Sequence, residues 1–240
     1  MVSIDDVYQR VLAIANKEQR GYITPQEFNL FANMAQKDIY EQYFYDINQY
    51  HRLPSNGMEY SDILELLNEK ISIFKVGPIA VAPTLTTGEY ILPGTVGAIH
   101  TLGTVTVIRG NQRYEATEVK YDKLVHLLKS PLTRPTGERP IYYRKDQRRI
   151  VVFTRETAST NTVEVTYIRE PGQVEWGYVV VNEKALYNPS GNAVDFELHP
   201  SEQKNLVNRI LKLAGISIED AGLVQVATQE EIKNIRQEKA

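Results

Sequence analysis

The apolar residues of this chain change their spacing twice, and that change limits the fold more than any motif does. Up to about Ile73 they recur every three or four residues. From Ile79 to Arg169 they alternate, and after Phe196 the helical spacing returns. Helices, then strands without intervening long helices, then helices again argue against an alternating β/α layout and for an α+β protein. The expectation is N- and C-terminal helices forming a helical bundle, with a central antiparallel β-sandwich or barrel domain. The segments are 1–76 for the N-terminal helices, 77–180 for the β-domain, and 181–240 for C-terminal helices packing with the N-terminal ones.

Local signals place the elements. Ser3 precedes Val7, Val11, Leu12 and Ile14, and Asp5 and Asp6 suit the positive start of a first helix. Gly21 breaks the chain. Thr24, Pro25, Gln26 and Glu27 then form the strongest local signal: a cap, a proline suited to the first helical position, and a glutamate able to reach back to the cap. The spacing of Phe28, Phe31, Ala32, Ala35 and Ile39 predicts a helix from Pro25 to about Gln49. Tyr40, Tyr43, Phe44, Tyr45 and Tyr50 crowd its far end. They either pack under the chain's own β-domain or form a subunit interface, for which tyrosine's apolar ring and polar tip are suited. After a turn at Pro54–Gly57, a third helix is expected over Ser61–Ile73.

Seven strands are expected in the middle: Ile79–Ala82, Glu89–Leu92, Thr104–Arg109, Tyr114–Val119, Ile141–Arg144, Arg149–Thr154 and Thr162–Arg169. A short helix, Tyr121–Leu128, interrupts them. Ile141–Thr154 reads as a hairpin turning at Lys145–Arg148. The stretch Arg134–Arg149 holds six basic and two acidic residues. It is either a solvated tip or a contact for DNA or an acidic surface, with Arg144, Lys145, Arg148 and Arg149 as the candidates. Glu170, Pro171, Gly172 and Trp176 are expected to close this domain, the tryptophan as a packing plug. Beyond it, Pro200 opens a helix carrying Leu206, Val207, Ile210, Leu211 and Leu213, Gly215 caps it, and a last helix runs from Ser217 through Ile235 into a polar end.

Charge is uneven: net −4 over residues 1–76, +3 over 77–180 and −2 over 181–240. This is either scatter or a sign that unlike surfaces meet when copies assemble. The absence of cysteine excludes disulfides, thiolate zinc sites and cysteine nucleophiles. The four histidines are too far apart for a local metal pair, and no phosphate loop, dinucleotide fingerprint or nucleophile elbow is present. No catalytic, cofactor-binding or metal residues are assigned and no cofactor is expected. A binding or structural role follows, and not an enzyme. A module binding host-surface glycan is the other class, suggested by Trp176, the tyrosines and the acidic residues near Glu170. No apolar run is long enough to span a membrane, and an acidic N-terminus does not read as a secretory signal.

The order of four phrases adds to this. GYITPQEFNLFANMAQKDIYEQYF, LLKSPLTRPTGERPIYYRKDQRRIVVF, VTYIREPGQVEW and FELHPSEQKNLVNRILKLAGISIEDAGLVQ follow one another between Gly21 and Gln225. Together they resemble virion structural proteins of short-tailed, crAss-like bacteriophages, the head–tail connector or tail-adaptor ring proteins among them. The resemblance implies a homo-oligomeric ring, usually a dodecamer, bound to the portal and to other neck and tail proteins. Genomic DNA would pass without sequence specificity. It implies location in the neck or tail of the virion, after assembly in the host cytoplasm, and it brings no active-site residues. On this basis Tyr40, Tyr43, Tyr45, Arg144, Lys145, Arg148 and Arg149 are the candidate interface residues.

Overall fold

A computed structural model describes residues 1–17, 23–52, 59–84, 88–92, 98–154, 161–182, 184–217 and 229. The fold is mixed α+β, with five helices and several largely antiparallel sheets among the described residues. The expected break at Gly21, the Pro54–Gly57 turn and the last helix beyond Ser217 lie outside the described residues. The chain divides into two compact units: Met1–Ile73 with Pro171–Ala240, and Phe74–Glu170.

The first unit contains α1 (Ile4–Lys17), α2 (Pro25–Arg52), α3 (Glu59–Ser72) and α5 (Gln203–Ser217), the last entered through a 3-10 turn at Pro200–Glu202. Ser3 Oγ accepts from the Asp6 N–H at 3.4 Å. At α2 the capping box forms: Thr24 Oγ1 accepts from the Glu27 N–H at 3.3 Å, and the Glu27 carboxylate accepts from the Thr24 N–H at 3.0 Å. These bonds hold the Glu27 carboxyl below its ordinary range. α5 packs against both α1 and α2, burying Leu206, Ile210 and Ala214. Gly215 does not cap α5, because the helix continues for another two residues.

Asn29, Asn33 and Gln36 recur along one face of α2 and hold an extended strand of backbone. Asn33 accepts from the Val174 N–H and donates to the Val174 carbonyl, both at 2.9 Å. Asn29 accepts from the Trp176 N–H at 2.8 Å, and Gln36 donates to the Gly172 carbonyl at 2.7 Å. Side-chain amides thus take the place of a neighbouring strand on one edge of this backbone, while Glu175 bridges Val194 on the other. The segment expected to close the β-domain is therefore bound to α2 in the helical unit. It leads into a hairpin, β9 (Tyr178–Val181) and β10 (Lys184–Tyr187), across the expected domain boundary at 180, where no element was expected. Three successive valines favour a strand through their branched side chains. Asn182 supplies the left-handed residue at the turn, with φ 50°.

The second unit contains β1 (Lys75–Val81), β2 (Glu89–Ile91), β3 (Ile99–Arg109), β4 (Gln112–Glu115), β5 (Thr117–Glu118), α4 (Tyr121–Lys129), β6 (Ile141–Arg144), β7 (Arg149–Phe153) and β8 (Val163–Arg169). One sheet has the order β1-β8-β3-β4 and the other β2-β7-β6-β5. Both contribute to one apolar cluster, with Val105, Val107, Val163 and Val165 from the first and Tyr90, Tyr142, Ile150 and Val152 from the second. The pairing is not wholly antiparallel: β5 runs parallel to β6. The chain between them, with α4, is long enough to carry it back to start in the same direction. β3 bulges between Leu102 and Val105. A Cβ on Gly103 would lie 2.6 Å from Thr166 Oγ1 and 3.0 Å from its carbonyl oxygen, so the close approach requires glycine.

Candidate functional site

The basic hairpin tip is built as expected but is largely engaged within the chain. β6 and β7 pair from Ile141↔Phe153 to Arg144↔Ile150, and the Lys145 N–H donates to the Arg149 carbonyl at 3.0 Å. The Arg144 guanidinium folds back onto the carbonyls of Asp146 and Gln147, at 3.3 and 3.1 Å. Lys145 pairs with Glu89, which raises the lysine's pKa through the hydrogen bond and the opposite charge. Arg149 lies 3.6 Å from Asp146. Arg148 is exposed, and its N–H donates to Asp146 Oδ1 at 2.9 Å. Three of the four candidate cations are thus engaged within the chain, Arg144 and Arg149 with the turn itself and Lys145 with β2. Beneath them, Tyr142 is buried, and burial followed by the nearby Glu118 carboxylate pushes its phenol up to about 12.

The tyrosines of α2 separate by helical phase. Tyr40 and Tyr43 are buried, with Tyr40 edge-on to Phe44 at 5.0 Å and the Lys70 ammonium 5.7 Å from the centre of the Tyr43 ring. Tyr45 faces out. Lys70 also pairs with the buried Glu202 at 2.7 Å. Glu202 accepts from Asn205 at 3.1 Å, Asn205 accepts from Arg209 at 3.3 Å, and Arg209 reaches Gln42. This polar chain ties α2, α3 and α5 together and leaves those groups no outward role.

Trp176 is the plug its neighbours suggested. It is 2% exposed. Tyr178 and Tyr187 stack near it, at 5.9 and 5.7 Å, Tyr8 lies tilted at 4.3 Å, and its indole N–H donates to Asp5 Oδ1 at 2.9 Å. No face remains for a sugar. The same burial, with the carboxylates of Asp195 and Asp5, raises the Tyr187 phenol.

What leaves this root is the surface that the sequence reading missed. β9 and β10 pair only with each other among the described residues. Val179, Val180, Val181 and Leu186 are all exposed, Val180 at 62%. Two strands alone are marginal in water, so the aromatic root carries the ribbon. The available signal was the run of valines, an apolar stretch with no helical spacing to bury it. Among the described residues, no three metal-ligating side chains converge, and no helix is long and apolar enough to cross a membrane. No protein-family model matches this chain, and no curated protein matches its sequence.

Proposed function

We propose that this chain is a structural virion protein, one subunit of a head–tail connector ring that joins portal to tail and forms part of the DNA channel. The ring is homo-oligomeric, a dodecamer in keeping with portal symmetry, and is assembled in the host cytoplasm. In this reading the helices of both chain ends form one bundle, and the two sheets of the Phe74–Glu170 unit, which lies between them in sequence, form a sandwich. The resemblance of the four sequence phrases suggests the role.

The observation that carries the reading is the β9–β10 ribbon. A row of exposed valines on a short, well-anchored hairpin is apolar surface held in a fixed position, which marks a protein-contact site. Its open strand edges also supply backbone donors and acceptors for a partner strand. Closed rings use unlike faces on successive copies, and a projecting ribbon suits one such face.

Native mass spectrometry of the purified chain, alone and with the portal protein of the same genome, tests this. The expected result is a closed oligomer or a stoichiometric complex with the portal. A monomer at micromolar concentration that ignores the portal would overturn the proposal.

A further inference from the structure

We propose that the basic helix α4 and the turn that follows it dock on the outer stripe of α2 of a neighbouring copy. This rests on the ring reading and names one of its contacts.

The first face lies on the β-bearing unit. α4 buries only Leu124 fully. Tyr121 and Val125 are exposed, and Leu132 in the following turn is 96% exposed. Lys120, Lys123, Lys129 and Arg139 surround them, all exposed. Residues 120–139 hold five basic and two acidic side chains. A helix that spends so little of itself on its own core, carrying apolar side chains within a basic field, has the composition of a contact with an acidic partner.

The second face lies on the helical unit. The exposed residues of α2 form one stripe along its length: Leu30, Met34, Asp38, Glu41 and Tyr45 follow at intervals of three and four. Leu30 is 66% exposed, and Met34 and Tyr45 are each more than half exposed. The charged members are Glu27, Lys37, Asp38 and Glu41, which leaves the stripe acidic. Apolar residues interleaved with carboxylates thus face outward here, and apolar residues interleaved with ammonium and guanidinium groups face outward on α4.

The two faces are opposite in the sign of their charge and alike in their mixture of apolar and charged groups. The occupant is a second copy of this chain. The contact is heterologous, because each copy offers an acidic α2 stripe and a basic α4 face, and repetition of such a contact closes a ring when the rotation between copies divides a full turn. Opposite charge steers the encounter and fixes the register, while Leu30, Met34 and Leu132 leave water on docking.

The test uses two charge-reversed full-length chains, one carrying Asp38→Lys with Glu41→Lys, the other Lys123→Glu with Lys129→Glu. Association is measured by sedimentation at low and high salt, alone and with portal, and thermal melting at low concentration reports folding. Each variant alone sets like charge against like and weakens association by about tenfold or more, with melting unchanged. A one-to-one mixture restores it, because each reversed face then meets its complement, and the restored contact weakens with added salt. Variants that assemble as well as the wild type overturn this contact and leave the ring standing. Loss in each variant without recovery in the mixture overturns the pairing of these two faces. So does loss of portal binding alone, which would make one face a portal site. A wild-type chain that assembles neither alone nor with portal overturns both readings.

Discussion

Two hairpins of this chain show opposite ways of finishing a β-ribbon. β6–β7 sits inside a sheet, with β5 and β2 on its flanks and Tyr142, Ile150 and Val152 in the core. Its tip is the most basic stretch of the sequence, yet Arg144 folds onto the turn and Lys145 pairs with Glu89. β9–β10 has no flanking strand among the described residues and sends its valines outward. Charge density and exposed apolar area therefore point to different surfaces. Arg144, Lys145 and Arg149 have partners within the chain, and the quieter apolar ribbon is left exposed among the described residues.

The largest effect is expected where the exposed ribbon is rooted. Trp176→Ala removes the indole near which Tyr178, Tyr187 and Tyr8 gather, together with the bond to Asp5. A cost of about 3–5 kcal/mol in urea unfolding is expected. Hydrogen exchange should show protection falling first in Tyr178–Tyr187. If those amides keep their protection, the ribbon has another support and the contrast with β6–β7 fails.

In the β-bearing unit the limit is backbone closeness. Gly103→Val forces a Cβ against Thr166, whose hydroxyl also accepts from the Thr104 N–H at 2.8 Å. Overpacking of this kind costs about 1–3 kcal/mol, read as a lower urea midpoint. No loss would mean that β3 and β8 can part without penalty, which their pairing contradicts.

The third effect separates the hairpins by pH. Tyr142 ionises at about 12 in the folded chain, against about 10 for a free phenol. Its neutral form is favoured by folding, so the contribution is complete below pH 10 and is lost as pH rises from 10 towards 12. Ultraviolet difference titration should show a late phenolate step that Tyr142→Phe removes. If the late step survives in Tyr142→Phe, the assignment is wrong. Tyr187, at the root of the other ribbon, is raised as well, by burial and then by Asp195 and Asp5, so the Tyr142→Phe variant is needed to tell the two apart.

What the sequence made legible was local. The Thr24–Glu27 box spans four residues, and both of its reciprocal bonds form. The Ile141–Thr154 hairpin announces itself by alternation, and six of the seven expected strands each overlap an observed strand, while Tyr114–Val119 resolves into β4 and β5. What it hid was distant. Lys145 reads as a free cation until Glu89, 56 residues away in sequence, is placed beside it. Asn29, Asn33 and Gln36 carry no signal in the sequence, and their role shows only when the backbone of Gly172–Trp176 is placed against them. The turn of β9–β10 escaped because it lacks glycine, and Asn182 takes the left-handed conformation instead. The candidate tyrosines divided for a related reason. Helical phase separates Tyr43 from Tyr45 by 200°, so no cluster of consecutive aromatics can share one face.

The smallest effect on stability is also the sharpest test of the comparison. Val180→Ser and Lys145→Ala each alter one exposed tip, and neither should move the urea midpoint appreciably, since surface changes of this kind fall within about 0.5 kcal/mol. The two should part in assembly. Val180→Ser removes apolar area from a surface that has no internal partner among the described residues, so association with other copies or with portal should weaken while folding is unchanged. Lys145→Ala breaks only a pair that closes on Glu89, and association should persist. Sedimentation of both variants beside the wild type decides the matter. If Lys145→Ala weakens assembly and Val180→Ser does not, the basic tip is the contact surface after all, and its internal pairing is a resting arrangement that a partner displaces.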